Sequence, residues 1–233
     1  MKKFILPVLA IISALQFISC NNSSKEGDDS GSANNTENEG SASGDDSRRY
    51  TLESAIVTSK ITNSMMQGDV TTVLYFDDYG EKEMTRTSTK MAIMGQNIQS
   101  VTNNLLKDGW SYSWEEGKTT GSKFQLKDVM DPSKMDYAKM SEEMKKEFGV
   151  KKVGTETIMG KKCDKYEMNK DGMGNGNFWL WKNIPLKSET TISGMQLKIE
   201  VIDLNENPNF EKGQFDVPTT VTFTEMNMPA AKE

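Results

Sequence analysis

Apolar and polar residues alternate with a period of two through most of the chain beyond Tyr50, and this restricts the fold more than any other feature. A strand turns successive side chains to opposite faces, whereas a helix would scatter the same residues around its axis. In the run from Met195 to Val201, Met195, Leu197, Ile199 and Val201 fall on one side and Gln196, Lys198 and Glu200 on the other. That is the pattern of a sheet wet on one face. Leu186 to Ile192 alternates in the same way, with Leu186, Ser188, Thr190 and Ile192 sharing a face. Ser193-Gly194 between the two runs predicts a tight hairpin.

The same pattern predicts strands over 52–62, 70–76, 81–91, 96–105, 110–114, 123–127, 153–159, 163–168 and 178–181. Asp77-Asp78-Tyr79-Gly80, Asp108-Gly109, Glu116-Gly117, Gly160-Lys161 and the stretch from Asp171 to Gly176 have turn or loop compositions between them. One helix is expected to interrupt the series. Asp131 is its N-cap and Pro132 its first residue, Tyr137, Met140, Met144 and Phe148 form an inward stripe, and Gly149 ends it. The expected fold is therefore mainly β with one or two helices (α+β): a curved antiparallel sheet or half-open barrel closed over a helix. At 233 residues the chain has room for one such core.

The amino terminus reads as an address. Lys2 and Lys3 precede a nearly all-apolar run from Phe4 to Ile18, shorter than the roughly 20 residues of a membrane span and matching a signal-peptide core. Phe17-Ile18-Ser19-Cys20 resembles the lipobox of bacterial lipoproteins, which implies cleavage after Ser19 and a diacylated Cys20 at the new terminus. Residues 20–49 then form an acidic tether of Asn, Ser, Gly, Asp and Glu without an aromatic or branched aliphatic side chain, a composition that cannot build a core. Asn21 is not the Asp of an inner-membrane retention signal, so the expected destination is the outer membrane, on its periplasmic face or at the cell surface. The domain organisation is thus a signal peptide (1–19), a lipidated tether (20–49) and one β-rich domain (50–233).

Composition removes several function classes. The chain has no histidine, and so lacks the usual general base of Ser and Cys hydrolases and the commonest transition-metal ligand. Its formal charge is −6, and loss of Lys2 and Lys3 leaves 26 basic residues against 34 acidic ones, a poor match to a phosphate backbone. No nucleic-acid partner, cofactor or metal is expected. Met91-Ala-Ile-Met94 and Met226-Asn-Met228 have spacings that Cu(I) can use, but soft-metal sites gather more ligands, and the 16 methionines read better as core filler. Cys163 has no second thiol if Cys20 is acylated, and reads as a buried, inert side chain. Asn169 to Gly176 fails as an EF-hand loop, because Leu180 would stand where a bidentate acid is needed, and fails as a phosphate loop by its glycine spacing.

Two aromatic runs stand out. Trp110, Tyr112 and Trp114 share one face of a short strand, and Trp179 and Trp181 repeat the arrangement. They fit either the lining of an apolar cavity or a cross-strand aromatic cluster in the core.

The hairpin from Gly154 to Tyr166, the segment from Trp179 to Lys187 and the late Phe215-Asp216-Val217-Pro218 together resemble lipoproteins with a lipoprotein-carrier-like (LolA/LolB-like) domain, over most of Tyr50 to Met228. The resemblance implies a half-barrel around a hydrophobic cavity that receives acyl chains. The expected function is a non-enzymatic, membrane-anchored envelope lipoprotein that holds a lipid or other apolar molecule, with Trp110, Tyr112, Trp114, Trp179 and Trp181 at the cavity. The alternative is a structural or protein-interaction module with a closed core, bound to an envelope partner. An enzyme would need a carboxylate or Ser-Lys mechanism, for which the sequence holds no pattern.

Overall fold

The computed structural model describes residues 49–64, 66–93, 96–125, 149–170 and 174–226. Cys20 with the rest of the signal and tether, the helix expected from Asp131 to Phe148, Met94 and Met228 lie outside them.

The described residues form one open, curved sheet of twelve strands. They are β1 (Ala55–Asn63), β2 (Met66–Asp77), β3 (Lys82–Ile93), β4 (Gln96–Lys107), β5 (Trp110–Glu115), β6 (Thr120–Gln125), β7 (Val150–Ile158), β8 (Lys161–Lys170), β9 (Gly174–Trp181), β10 (Ile184–Ile192), β11 (Met195–Asn205) and β12 (Thr222–Glu225). The spatial order is β12-β6-β5-β4-β3-β2-β1-β11-β10-β9-β8-β7. Two antiparallel meanders are therefore joined through β1 and β11, and the sheet does not close into a barrel. The only helical turn among the described residues is the 3-10 turn Asp78–Gly80.

Local chemistry accounts for much of this. Asp108-Gly109, Met159-Gly160, Lys182-Asn183 and Ser193-Gly194 are two-residue hairpin loops with positive φ at both positions, the turn whose twist matches that of the strands it joins. The turn expected at Gly160-Lys161 thus falls one residue earlier, at Met159-Gly160, since Lys161 opens β8. The loop expected from Asp171 to Gly176 is also shorter, because Gly174 and Gly176 belong to β9. A Cβ at either position would run into the Thr191 or Glu189 carbonyl of β10. These glycines permit close strand approach rather than a turn.

Bulges bend the sheet. Between β1 and β11 the register runs from Thr58↔Asp203 to Ser59↔Val201 and passes over Ile202, which points outward at 57% exposure. Another lies beside Pro185, where a proline interrupts β10 between two hydrogen-bonded neighbours. The main core gathers Tyr50, Ala55, Val57, Phe76, Cys163, Trp179, Ile184, Leu186 and Val201. Ile61, Val70 and Leu197 form a second cluster, as the alternation of β11 requires, and Val150, Tyr166 and Met168 a third. Arg49 and Glu83 are buried together, with Nη1 donating to Oε2 at 2.5 Å, and the Tyr50 hydroxyl donates to the same oxygen at 3.0 Å. Tyr50 stacks on Phe76 at 4.1 Å, which ties the start of the domain to β2 and β3.

Candidate functional site

Alternation along β5 sends Trp110, Tyr112 and Trp114 to one side and Ser111, which is buried, to the other. Register fixes their neighbours. Lys107, Leu105 and Asn103 of β4 stand opposite the three aromatics in that order, and Gln125, Lys123 and Gly121 of β6 stand opposite them on the other flank. Phe223 of β12 pairs with Gly121 and closes the row, its ring edge-on to Tyr112 at 5.2 Å and to Trp114 at 6.0 Å. Such perpendicular contacts set a positive ring edge against a negative ring face. Lys123 Nζ lies 4.4 Å from the centre of the Trp110 ring, in cation–π range.

Gly121 makes this arrangement fit. A side chain there would meet the Phe223 ring at 2.8 Å and the Ser113 carbonyl at 2.6 Å. The three aromatics remain half-buried and belong to none of the three core clusters, while Leu105, beside Tyr112 on the same face, is fully buried.

The coil from β11 to β12 crosses to this side of the sheet. It is held by Lys107 to Asp216 at 3.0 Å and by the Gln214 amide donating to the Met84 sulfur at 3.4 Å. Beside the row, Arg86 donates to both carboxylate oxygens of Glu116 at 2.8 and 3.2 Å. Those bonds hold the Glu116 carboxyl below its ordinary range and raise Arg86. Asn103 adds a bond to Glu116, and its own Oδ1 is buried without a partner.

Trp179 and Trp181 have a different setting. Six strands separate β9 from β5, so the two aromatic runs are not brought together. Trp179 is 2% exposed within the main core and donates its indole N–H to Glu156 at 2.7 Å, with Lys165 and Lys187 against its ring. Trp181 packs against that core between Lys161 and Lys182. Cys163 is buried in the same core, where loss of solvent pushes its thiol pKa up, the direction of an unreactive thiol. Among the described residues no three Cys, Asp or Glu side chains are grouped to hold a metal. Asp77 precedes and Asp78 opens the 3-10 turn, and Asp77 pairs with Lys82 at 3.1 Å.

The sequence reading missed Phe223, Gly121 and Lys123. Thr222-Phe-Thr-Glu is too short to show a period, and no local signal tells which strand it joins.

No family model and no curated protein matches this chain. Among solved structures it is similar to an uncharacterised conserved protein from Thermus thermophilus, at 8% identity and a TM-score of 0.48, over 75% of this chain and 92% of that one. It is similar to the MucA/MucB complex of Pseudomonas aeruginosa, at 13% identity and a TM-score of 0.47, over 79% of this chain and 64% of that one. A putative outer membrane lipoprotein-sorting protein domain from Vibrio parahaemolyticus matches at 13% identity and a TM-score of 0.33, over 72% of this chain and 92% of that one. These are distant likenesses, with identities of 8–13%.

Proposed function

We propose that this chain is a bacterial envelope lipoprotein, exported by residues 1–19, held to the outer membrane through lipid on Cys20, and carrying a non-enzymatic binding domain. Its ligand face is the row of Trp110, Tyr112 and Trp114, which takes an apolar group. One observation carries this reading: the three aromatics stay half-buried outside the core clusters, whereas Trp179 is sealed inside one. A half-covered aromatic face flanked by Lys123 offers apolar area with a polar handle at its rim. Trp179 and Trp181 are assigned to the structure of the domain.

The anchor is tested by growing cells with labelled palmitate. Label enters the parent protein and is absent from Cys20→Ser. The face is tested by titrating a fluorescent fatty acid into the full chain carrying Cys20→Ser. Trp114→Ala is expected to weaken uptake about tenfold, a loss on the order of 1.4 kcal/mol, while thermal stability changes little. Undiminished uptake by a folded Trp114→Ala protein would remove this face as the site.

A further inference from the structure

The aromatic row is already occupied, and its occupant defines the chemistry it accepts. β12 is the only parallel strand in the sheet among the described residues, four residues long and joined to β6 alone. Its backbone is held at both ends, with Thr222 N–H donating to the Thr119 carbonyl and Met226 N–H to the Lys123 carbonyl, each at 2.8 Å. Of its side chains only Phe223 is half-buried, and Thr222, Thr224 and Glu225 are exposed. Phe223 enters the notch that Gly121 leaves open and meets Tyr112 and Trp114 edge-on.

We propose that the edge of β6 with the Tyr112–Trp114–Gly121 notch is a docking site for an extended peptide bearing an aromatic side chain, and that β12 is its resident intramolecular occupant. The inference rests on the assignment of this face as the binding site, and narrows its ligand to a polypeptide. Main-chain bonds to a sheet edge supply affinity and a side-chain pocket supplies selection, the physics of strand addition. β12 can be exchanged because little else secures it. Its Lys123–Glu225 contact is 3.8 Å long, with 30% and 56% of the side chains exposed, and the Asp216 anchor of the coil is 72% exposed. Exposed pairs of this kind hold weakly and are screened by salt. Once β12 leaves, β6 presents an unpaired edge that another strand can fill.

A resident segment competes at an effective concentration on the order of millimolar. A peptide added in trans therefore binds the parent chain poorly and binds well where the resident has lost its aromatic anchor. The probe is a fluorescent synthetic peptide of residues 219–226, Thr-Thr-Val-Thr-Phe-Thr-Glu-Met. It is titrated by anisotropy into the full chain carrying Cys20→Ser, with and without Phe223→Ala. At least about tenfold tighter binding to Phe223→Ala is expected, together with loss of binding when the peptide's own Phe is replaced by Ala.

Ser122→Cys with Thr224→Cys, at paired positions on β6 and β12, provides a second arm that keeps the native Phe223. With peptide on the order of the resident's millimolar effective concentration, the reduced pair should show the parent's weak binding and the oxidised pair none. Failure of folded Phe223→Ala to bind, equal binding of the Ala peptide, or equal binding by the oxidised and reduced pair each overturns the proposal. Fatty-acid titrations on the same samples separate the two claims. Fatty-acid uptake at Trp114 without peptide binding overturns the peptide site and leaves the apolar face standing, and peptide binding without fatty-acid uptake supports it.

Discussion

Replacing Trp179 by Ala separates a structural tryptophan from a ligand-lining one. The side chain is 2% exposed, packs in the main core, and donates its indole N–H to Glu156 at 2.7 Å. Truncating a buried Trp to Ala costs about 3–5 kcal/mol, from lost transfer energy and the cavity left behind. The bond to Glu156 adds only about 0.5–1.5 kcal/mol, because that carboxylate lies on an exposed stretch of β7 and water replaces the indole. Trp179→Phe keeps most of the apolar volume and should lose mainly that smaller amount. In urea, with a slope of about 2 kcal/mol/M, the midpoint of Trp179→Ala should fall by about 1.5–2.5 M at unchanged slope. Circular dichroism and Trp fluorescence through the same titration check that a single transition is being read. A midpoint shift under about 0.5 M, with loss of fatty-acid or peptide binding by a folded protein, would refute the assignment and return Trp179 to the ligand site.

Two further outcomes follow from charged pairs. Glu83→Ala leaves the buried Arg49 guanidinium and the Tyr50 hydroxyl without their shared acceptor, and should cost about 3–5 kcal/mol in urea denaturation, whereas Arg49→Met combined with Glu83→Leu recovers most of it. The Arg86–Glu116 pair gives a pH dependence of known sign. Its carboxyl is depressed in the folded state by the Arg86 hydrogen bonds, so its contribution is fully present above the ordinary carboxylate value of about 4.3 and is lost as pH falls through the lower folded value. The two side chains are 38% and 46% exposed, which limits the effect to about 0.2–1 kcal/mol. Parent and Glu116→Gln stabilities should therefore differ at pH 7 and converge in acid, and a constant gap across that range would show that the pair is not its source.

The sequence alone determined what depends on neighbours along the chain. Alternation along β11 placed Leu197 and Val201 inward, because a strand reverses its side chains at every residue whatever it pairs with. Asp108-Gly109 and Ser193-Gly194 marked their hairpins because positive φ is cheapest there. Lys182-Asn183 adopts the same turn without such a signature, and Gly174 and Gly176 resembled a loop although they serve close strand approach.

Only the tertiary structure decided which tryptophans are core. The Trp-x-Trp patterns of β5 and β9 look alike as sequence, yet β9 lies against the main core and β5 sits near an edge with Phe223 against Tyr112 and Trp114. It likewise set Arg49, the last residue of the expected tether, into a buried pair with Glu83, and carried Phe223 across the sheet to Gly121. Periodicity and turn preference are local and so are written in consecutive residues. Burial and strand pairing are contacts between distant segments, which the chain acquires only when the sheet assembles.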